Sequence, residues 1–155
     1  KYPNAKTSFS WPKTNPFGEE PAEPVNIPEE LIVGSLICNQ KELKKIPNSD
    51  EFFQPKSAKF KKFAEGDDSK KSYKRLHRYR YSPTVAYGNN EVHLHPVLPR
   101  RLSVRESLRI QGLPDNYILP EDVPLSHKFK TIGNGVPVKL ANRIALSISS
   151  FINGD

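Results

Sequence analysis

The residues best suited to binding a charged ligand lie in residues 56–80, which hold ten Lys and Arg against three acidic residues. The rest of the chain is nearly balanced, so this segment accounts for the whole net charge of +7. Localised positive charge with interleaved aromatic residues is typical of a surface that contacts phosphates. A solvated loop remains the alternative, because many runs of charge are simply solvated. The aromatic residues are Phe60, Phe63, Tyr73, Tyr79 and Tyr81.

A short capped helix is predicted over residues 104–111. Ser103 and Glu106 have capping-box spacing, in which the hydroxyl accepts from the Glu amide and the carboxylate reaches back to the Ser amide. Arg105 and Arg109 are four residues apart and therefore share one face of this helix. For a lone capping box, the alternative is a surface helix whose arginines are solvated.

Outside this helix the sequence predicts much irregular structure. Six prolines before residue 29 favour an extended N-terminal segment, pinned by Phe9 and Trp11. Alternating residues predict a β-hairpin over residues 78–95, with its turn at Gly88-Asn-Asn. Two prolines favour a loop over residues 116–130.

The last helix is predicted from Pro137 to about Ile152. Its apolar residues recur at helical spacing and form one stripe, which needs a covering surface. Either the small remainder of this chain or another domain must supply that surface. The stripe consists of Leu140, Ala141, Ile144, Ala145, Ile148 and Phe151.

The cysteine and histidine residues and the hydropathy of the chain argue against a disulfide framework, a metal site and a membrane protein. The single Cys38 excludes an internal disulfide and a multi-cysteine zinc site, and its context predicts a small buried residue. His93, His95 and His127 are explained by hairpin and loop positions rather than by metal binding. The sequence has no long apolar run, which predicts no contact with a membrane. Because it contains no Met, we expect a processed product or a fragment of a longer chain.

Residues 100–115 read Arg-x-Leu-Ser-x-Arg-Glu-x-x-Arg-x-Gln-Gly-x-Pro-Asp, and residues 132–137 read Ile-Gly-Asn-Gly-Val-Pro. This series resembles motifs IX and X of the cytosine-5 DNA methyltransferases, and the likeness covers roughly residues 72–152. It implies an α+β fold, with a small irregular β-rich recognition domain and a C-terminal helix that docks on a Rossmann-like catalytic domain absent from this chain. The implied division is a target-recognition region at 1–100 and motif IX, a loop, motif X and the docking helix at 101–155.

The resemblance implies transfer of a methyl group from S-adenosyl-L-methionine to carbon 5 of a flipped cytosine, in a restriction-modification system. The family's Pro-Cys nucleophile, Glu-Asn-Val motif and Gly-rich cofactor loop are absent from this sequence. We therefore expect the DNA-recognition portion of such an enzyme, inactive alone, as a fragment or as the small subunit of a split enzyme. Its expected partners are double-stranded DNA and a catalytic domain or subunit, in the bacterial cytoplasm or with the nucleoid.

The resemblance also assigns roles to single residues. Thr84 and Val85 match the Thr-aliphatic pair whose threonine lies by the backbone of the flipped nucleotide, although an ordinary strand threonine is the alternative. Arg105 matches the motif IX arginine that organises the recognition region. Motif X, in which unpaired amides at a helix N-terminus meet the amino-acid end of the cofactor, is matched by Asn134, Gly135 and Val136. The expected phosphate contacts in the basic segment are Lys74, Arg75, Arg78 and Arg80.

Two other functions remain open. One is a stand-alone basic DNA-binding module without catalysis, which would need neither motif X nor an uncovered apolar stripe. The other is part of an RNA-directed cytosine methyltransferase. A recognition region placed directly before motif IX favours DNA as the substrate.

Overall fold

The computed structural model describes residues 2–70, 72–84, 87 and 92–154. Within these residues, short helices are joined by long irregular segments. The β-rich character expected of the recognition region is not found in this part of the chain, where strand pairing is limited to three isolated bridges. The α-helices are α1 Ala5–Ser8, α2 Val33–Ile37, α3 Gln40–Leu43, α4 Val104–Ile110, α5 Leu125–Asn134 and α6 Val138–Asn153, and 3-10 turns lie at Glu29–Leu31 and Ala58–Lys61.

The predicted capped helix is α4, and it lies at the centre of the core. Ser103 Oγ accepts from the Glu106 amide at 3.2 Å, and Glu106 Oε2 accepts from the Ser103 amide at 2.7 Å, which confirms the capping box. Helices α2 and α5 both pack against α4. The resulting apolar core includes Val33, Ile37, Leu76, Leu102, Val104, Leu108, Phe129 and Ile132.

The predicted hairpin over 78–95 is wrong in its described parts. Residues 93–95 pair instead with residues 74–76 on one side and with residues 100–102 on the other. Leu94 illustrates this arrangement, because its carbonyl accepts from the Leu76 amide at 3.1 Å. The turn predicted at residues 88–90 lies outside the described residues.

Residues 78–80, taken from sequence as the first hairpin strand, bond to the start of α2. The amides of Val33 and Gly34 each donate at 2.8 Å, to the carbonyls of Arg80 and Arg78. The first amides of a helix have no acceptor within it, so a passing extended segment satisfies them. The alternating sequence therefore caps a helix rather than pairing in a hairpin.

Helix α5 corrects the prediction of a loop over residues 116–130. Pro124 stands at its N-cap, where proline is tolerated, and does not interrupt it. Phe129 and Ile132 are buried against the core, and Lys128 is buried in an ion pair with Glu51. The prolines at the front of the segment obscured the helical spacing that follows them.

The N-terminal segment is attached to the body of the protein by aromatic contacts, as predicted. The Trp11 ring lies edge-on to Tyr81 with 4.9 Å between ring centroids, and Phe9 contacts Trp11 at 5.9 Å. An isolated bridge between Asn15 and Glu65 continues the attachment. The segment contains the short α1 and is otherwise largely irregular.

Candidate functional site

Arg105 is fully buried on α4. Its Nε donates to Pro47 O at 3.0 Å, its Nη1 to Pro114 O at 3.2 Å and its Nη2 to Tyr117 O at 2.8 Å. Asp115 Oδ1 lies 3.8 Å from Nη1 and balances the charge. The Arg105 side chain thus joins the segment at Pro47 to the turn that follows α4. This geometry supports the organising role implied for Arg105, which stays a prediction.

A second polar cluster surrounds the buried carboxylate of Glu106. Arg100 donates from Nη1 and Nη2 to its two oxygens at 2.8 Å each, and Gln40 Nε2 donates at 3.0 Å. Burial acts to raise the pKa of Glu106, but hydrogen bonds from Arg100 lower it. Burial lowers the pKa of His95, which lies beside this carboxylate, to about 4, so its ring is neutral at pH 7. His95, Arg100 and Glu106 lie within twelve residues of one another, whereas Gln40 lies 66 residues before Glu106, so sequence spacing could not have indicated its contact.

Arg75, expected to contact phosphate, is instead an internal clamp. It is 1% exposed, and its guanidinium donates only to backbone carbonyls among the described residues. Burial lowers its pKa to about 10, so it is still cationic at pH 7. The clamp ties residues 60–63 to residues 95–98, and no nitrogen faces an incoming phosphate. The accepting carbonyls are those of Phe60, Phe63, His95 and Leu98.

Arg78 and Arg80 are also engaged within the chain. Arg78 Nε lies 3.0 Å from the buried Glu65 Oε1, and its Nη1 donates to Glu20 at 2.7 Å. Burial acts to lower the pKa of Arg78, but its bonds to the two carboxylates raise it. Arg80 donates to the carbonyls of Pro12 and Gly66. Both arginines therefore attach the N-terminal segment to the basic segment, which differs from the phosphate contacts expected of them.

Five lysines of the basic segment, in contrast, face solvent. We call this set the lysine face; its exposed members are Lys56, Lys59, Lys61, Lys62 and Lys70. Lys70 Nζ lies 5.2 Å from the centroid of the Phe63 ring, which stacks on Tyr73 at 5.7 Å. Lys74, the remaining expected contact, is half-buried. The Arg75 clamp holds the backbone at Phe60 and Phe63, next to Lys59, Lys61 and Lys62.

The Thr84 side chain is exposed, as contact with a nucleotide backbone would require. It follows Tyr81, whose ring is held by Trp11 and by Lys6 Nζ at 5.4 Å. Val85, the second member of the predicted pair, lies outside the described residues.

Asn134, Gly135 and Val136 lie together, exposed, where α5 ends and α6 begins. Gly133 allows α5 to pack close to Tyr87, because a Cβ at this position would lie 3.1 Å from the Tyr87 backbone nitrogen. The Val138 amide donates to Gln111 O at 3.0 Å and ties the start of α6 to α4. The Gly135 amide is bonded to Ile132 O, so the exposed Asn134 side chain is the polar group that these three residues offer. It lies near the positive end of a 16-residue helix, which favours a carboxylate such as that of an amino-acid group.

Helix α6 carries the predicted apolar stripe, and the stripe is uncovered. Over Val138–Asn153 no residue is buried. Exposed fractions are 51% for Leu140, 49% for Ile144, 54% for Ile148 and 87% for Phe151. An apolar surface of this kind marks a site of association.

Cys38 is not a candidate nucleophile. It packs against the core, and burial raises its pKa to about 12, so the thiol stays protonated at pH 7.

Among the described residues, no group of three or more His, Cys, Asp or Glu could hold a metal ion. In the same part of the chain, no helix is long and apolar enough to cross a bilayer.

Comparison with known proteins places these features in a family. The profile described as C-5 cytosine-specific DNA methylase matches residues 9–150. The type II methyltransferase M.NmeDI of Neisseria meningitidis serogroup C is 51% identical over 144 residues, covering 92% of this chain and 34% of that protein. The type II methyltransferase M.MthTI of Methanothermobacter thermautotrophicus is 46% identical over 55 residues, covering 36% of this chain and 16% of that protein. The DNA (cytosine-5)-methyltransferase CMT1 of Oryza sativa subsp. japonica is 34% identical over 90 residues, covering 56% of this chain and 8% of that protein. The chain thus spans about a third of the meningococcal protein's length, and with the profile matching nearly all of its residues it belongs to the C-5 cytosine-specific DNA methylase family.

Proposed function

We propose that this chain is the DNA-recognition portion of a DNA (cytosine-5)-methyltransferase of a restriction-modification system. The family implies DNA as substrate and S-adenosyl-L-methionine as methyl donor. The uncovered stripe on α6 carries the proposal, because a 16-residue amphipathic helix with no buried residue needs a partner surface. A catalytic domain or subunit with the nucleophilic cysteine and the cofactor loop would supply that surface.

The lysine face would contact the DNA backbone. Arg75 bonds the carbonyls of Phe60 and Phe63, so the backbone beside three exposed lysines of this face, Lys59, Lys61 and Lys62, is held in place. Lys74 would lie at the edge of this surface, and Thr84 with Val85 would lie by the flipped nucleotide. Arg78 and Arg80 would support recognition indirectly, by holding the N-terminal segment.

One wall of the cofactor site would come from Asn134, Gly135 and Val136. The bound cofactor supplies the methyl group, while these residues would bind and orient its amino-acid end. The position lies next to the first turn of α6. Docking of the α6 stripe on the catalytic part would therefore also place these residues at the cofactor site.

Association with a catalytic chain tests the proposal directly. Ile144→Asp with Ile148→Asp should abolish complex formation by native mass spectrometry, because two carboxylates would be buried without partners. Asn142→Asp with Ser149→Asp adds the same charge on the opposite side of α6 and should leave association intact. Radiolabelled methyl groups should enter duplex DNA only when both chains are present. Methyl transfer by this chain alone, or normal association of the first double variant, would contradict the proposal.

The salt dependence of DNA binding tests the lysine face. Replacing Lys56, Lys59, Lys61 and Lys62 by Gln should lower the slope of log K against log salt by about 0.9 for each DNA phosphate that is no longer neutralised. Lys41, Lys44, Lys45 and Lys130 are exposed outside the lysine face, and their replacement by Gln removes the same four charges as a matched control. Equal slopes for the two variants would show that the lysine face is only solvated.

A further inference from the structure

A cleft of about 240 Å³ opens between the end of α4, the turn after it and the connection from α5 to α6. None of its described lining residues is charged, and its size falls below the roughly 300–1,000 Å³ of small-molecule sites. The space therefore suits one large apolar side chain better than a charged cofactor. Its apolar walls are formed by Leu108, Leu113, Leu119, Ile132, Val136 and Val138.

One wall of this cleft contains an unpaired hydrogen-bond acceptor. Gln111 is 4% exposed, and its Nε2 donates to Ile132 O at 2.8 Å. Its Oε1 has no hydrogen-bond partner among the residues that the structure describes. The bond to Ile132 fixes the orientation of the amide, because the flipped amide would set two oxygens against each other. Buried acceptors are nearly always paired, so this oxygen lacks the donor it would normally have.

The cleft lies at the N-terminal end of α6, the helix that carries the uncovered stripe. Val138 lines the cleft, belongs to the first turn of α6 and is 45% exposed, and the stripe begins two residues later at Leu140. A partner that covers the stripe therefore also reaches the mouth of the cleft. The chain spans 34% of its meningococcal relative, which leaves a large part of such an enzyme to provide that partner.

We propose that the cleft receives a tryptophan side chain of the catalytic partner, whose indole N–H donates to Gln111 Oε1. This inference rests on the proposed function. Indole matches both features of the cleft, because its body is large and apolar and its one polar group is a donor that cannot accept. The contact would position the catalytic part at the same end of α6 as Asn134 and Gly135.

Titration of the isotope-labelled chain with indole tests this site without DNA or cofactor. Indole should shift the NMR signals of the Gln111 side-chain amide and Val138 saturably. N-methylindole has the same body without the donor and should bind about fivefold more weakly, as expected when one hydrogen bond is removed. Val138→Trp should fill the mouth and abolish binding, while Val25→Trp, at a residue 82% exposed and distant in sequence, should not.

Equal affinity for indole and N-methylindole would overturn the inference, as would the absence of saturable shifts at Gln111. Shifts at Gln111 with S-adenosyl-L-methionine but not with indole would assign the cleft to the cofactor and overturn it too. Failure of the titration would leave the association assay with α6 variants unaffected. Normal association of the Ile144→Asp, Ile148→Asp variant, with indole still binding to the chain, would instead contradict the proposed function and leave the indole site standing.

Discussion

Arg105 offers the sharpest test of how this chain holds its recognition segments. Replacing it by Met keeps a long side chain but removes donors to three carbonyls, those of Pro47, Pro114 and Tyr117. Hydrogen bonds from a charged donor contribute about 1.5–3 kcal/mol each, and breaking a buried charged network typically costs about 3–5 kcal/mol in total. We therefore expect Arg105→Met to lower the free energy of unfolding by about 3–5 kcal/mol, a large fraction of the roughly 5–15 kcal/mol of a typical domain.

The assay is chemical denaturation, followed by far-UV circular dichroism. Arg143→Met is the matched control, because Arg143 lies exposed on α6 and should leave the midpoint unchanged. Arg105→Lys keeps the charge, but a single ammonium cannot bond all three carbonyls that the three guanidinium nitrogens bond. We therefore expect an intermediate loss of unfolding free energy. A loss below about 1 kcal/mol for Arg105→Met would refute the idea that this side chain is the organiser.

Two further substitutions follow from buried contacts. Burial lowers the pKa of both His93 and His95 from 6.5 to about 4, so the unfolded chain takes up protons that the folded chain does not as pH falls through this window. The contribution of these two rings to the free energy of unfolding should therefore be fully present above about pH 6.5 and fall toward pH 4, by up to about 3 kcal/mol for each ring. His93→Phe should reduce this fall in acid denaturation curves. The control His127→Phe, at an exposed residue, should not. Gly34→Ala should destabilise the chain by about 1–3 kcal/mol, because the added Cβ would lie 2.7 Å from Arg78 O, and an unchanged melting temperature would contradict that close approach.

Local features of this protein were readable from sequence. The capping box of Ser103 and Glu106 and the amphipathic helix α6 were both predicted, with bounds within about a residue of those observed. Each depends on residues within a few positions of one another, so spacing alone carries the information. The series over 100–115 and 132–137 likewise indicated the family, which the match to residues 9–150 shows.

The arginines and lysines of residues 56–80 could not be told apart from sequence. A guanidinium can bond several carbonyls at once and remain charged when buried, so Arg75 could become an internal clamp. The carbonyls that it binds lie as far away as Leu98, and a composition count contains no information about them. The five lysines of the lysine face, each a strongly hydrated point charge, lie at the surface.

Helix α5 and the cleft beside it depend in the same way on distant parts of the chain. Lys128 is buried on α5 because Glu51, far away in sequence, supplies the opposite charge. Gln111 bonds Ile132 only because α4 and α5 pack together, and that bond is what leaves its other amide atom unpaired. Short-range spacing thus determined where the capped helices form and which family the chain resembles. Tertiary packing decided which polar side chains became internal supports and which stayed exposed to a ligand, because burying a charge or an amide is costly unless it is paired.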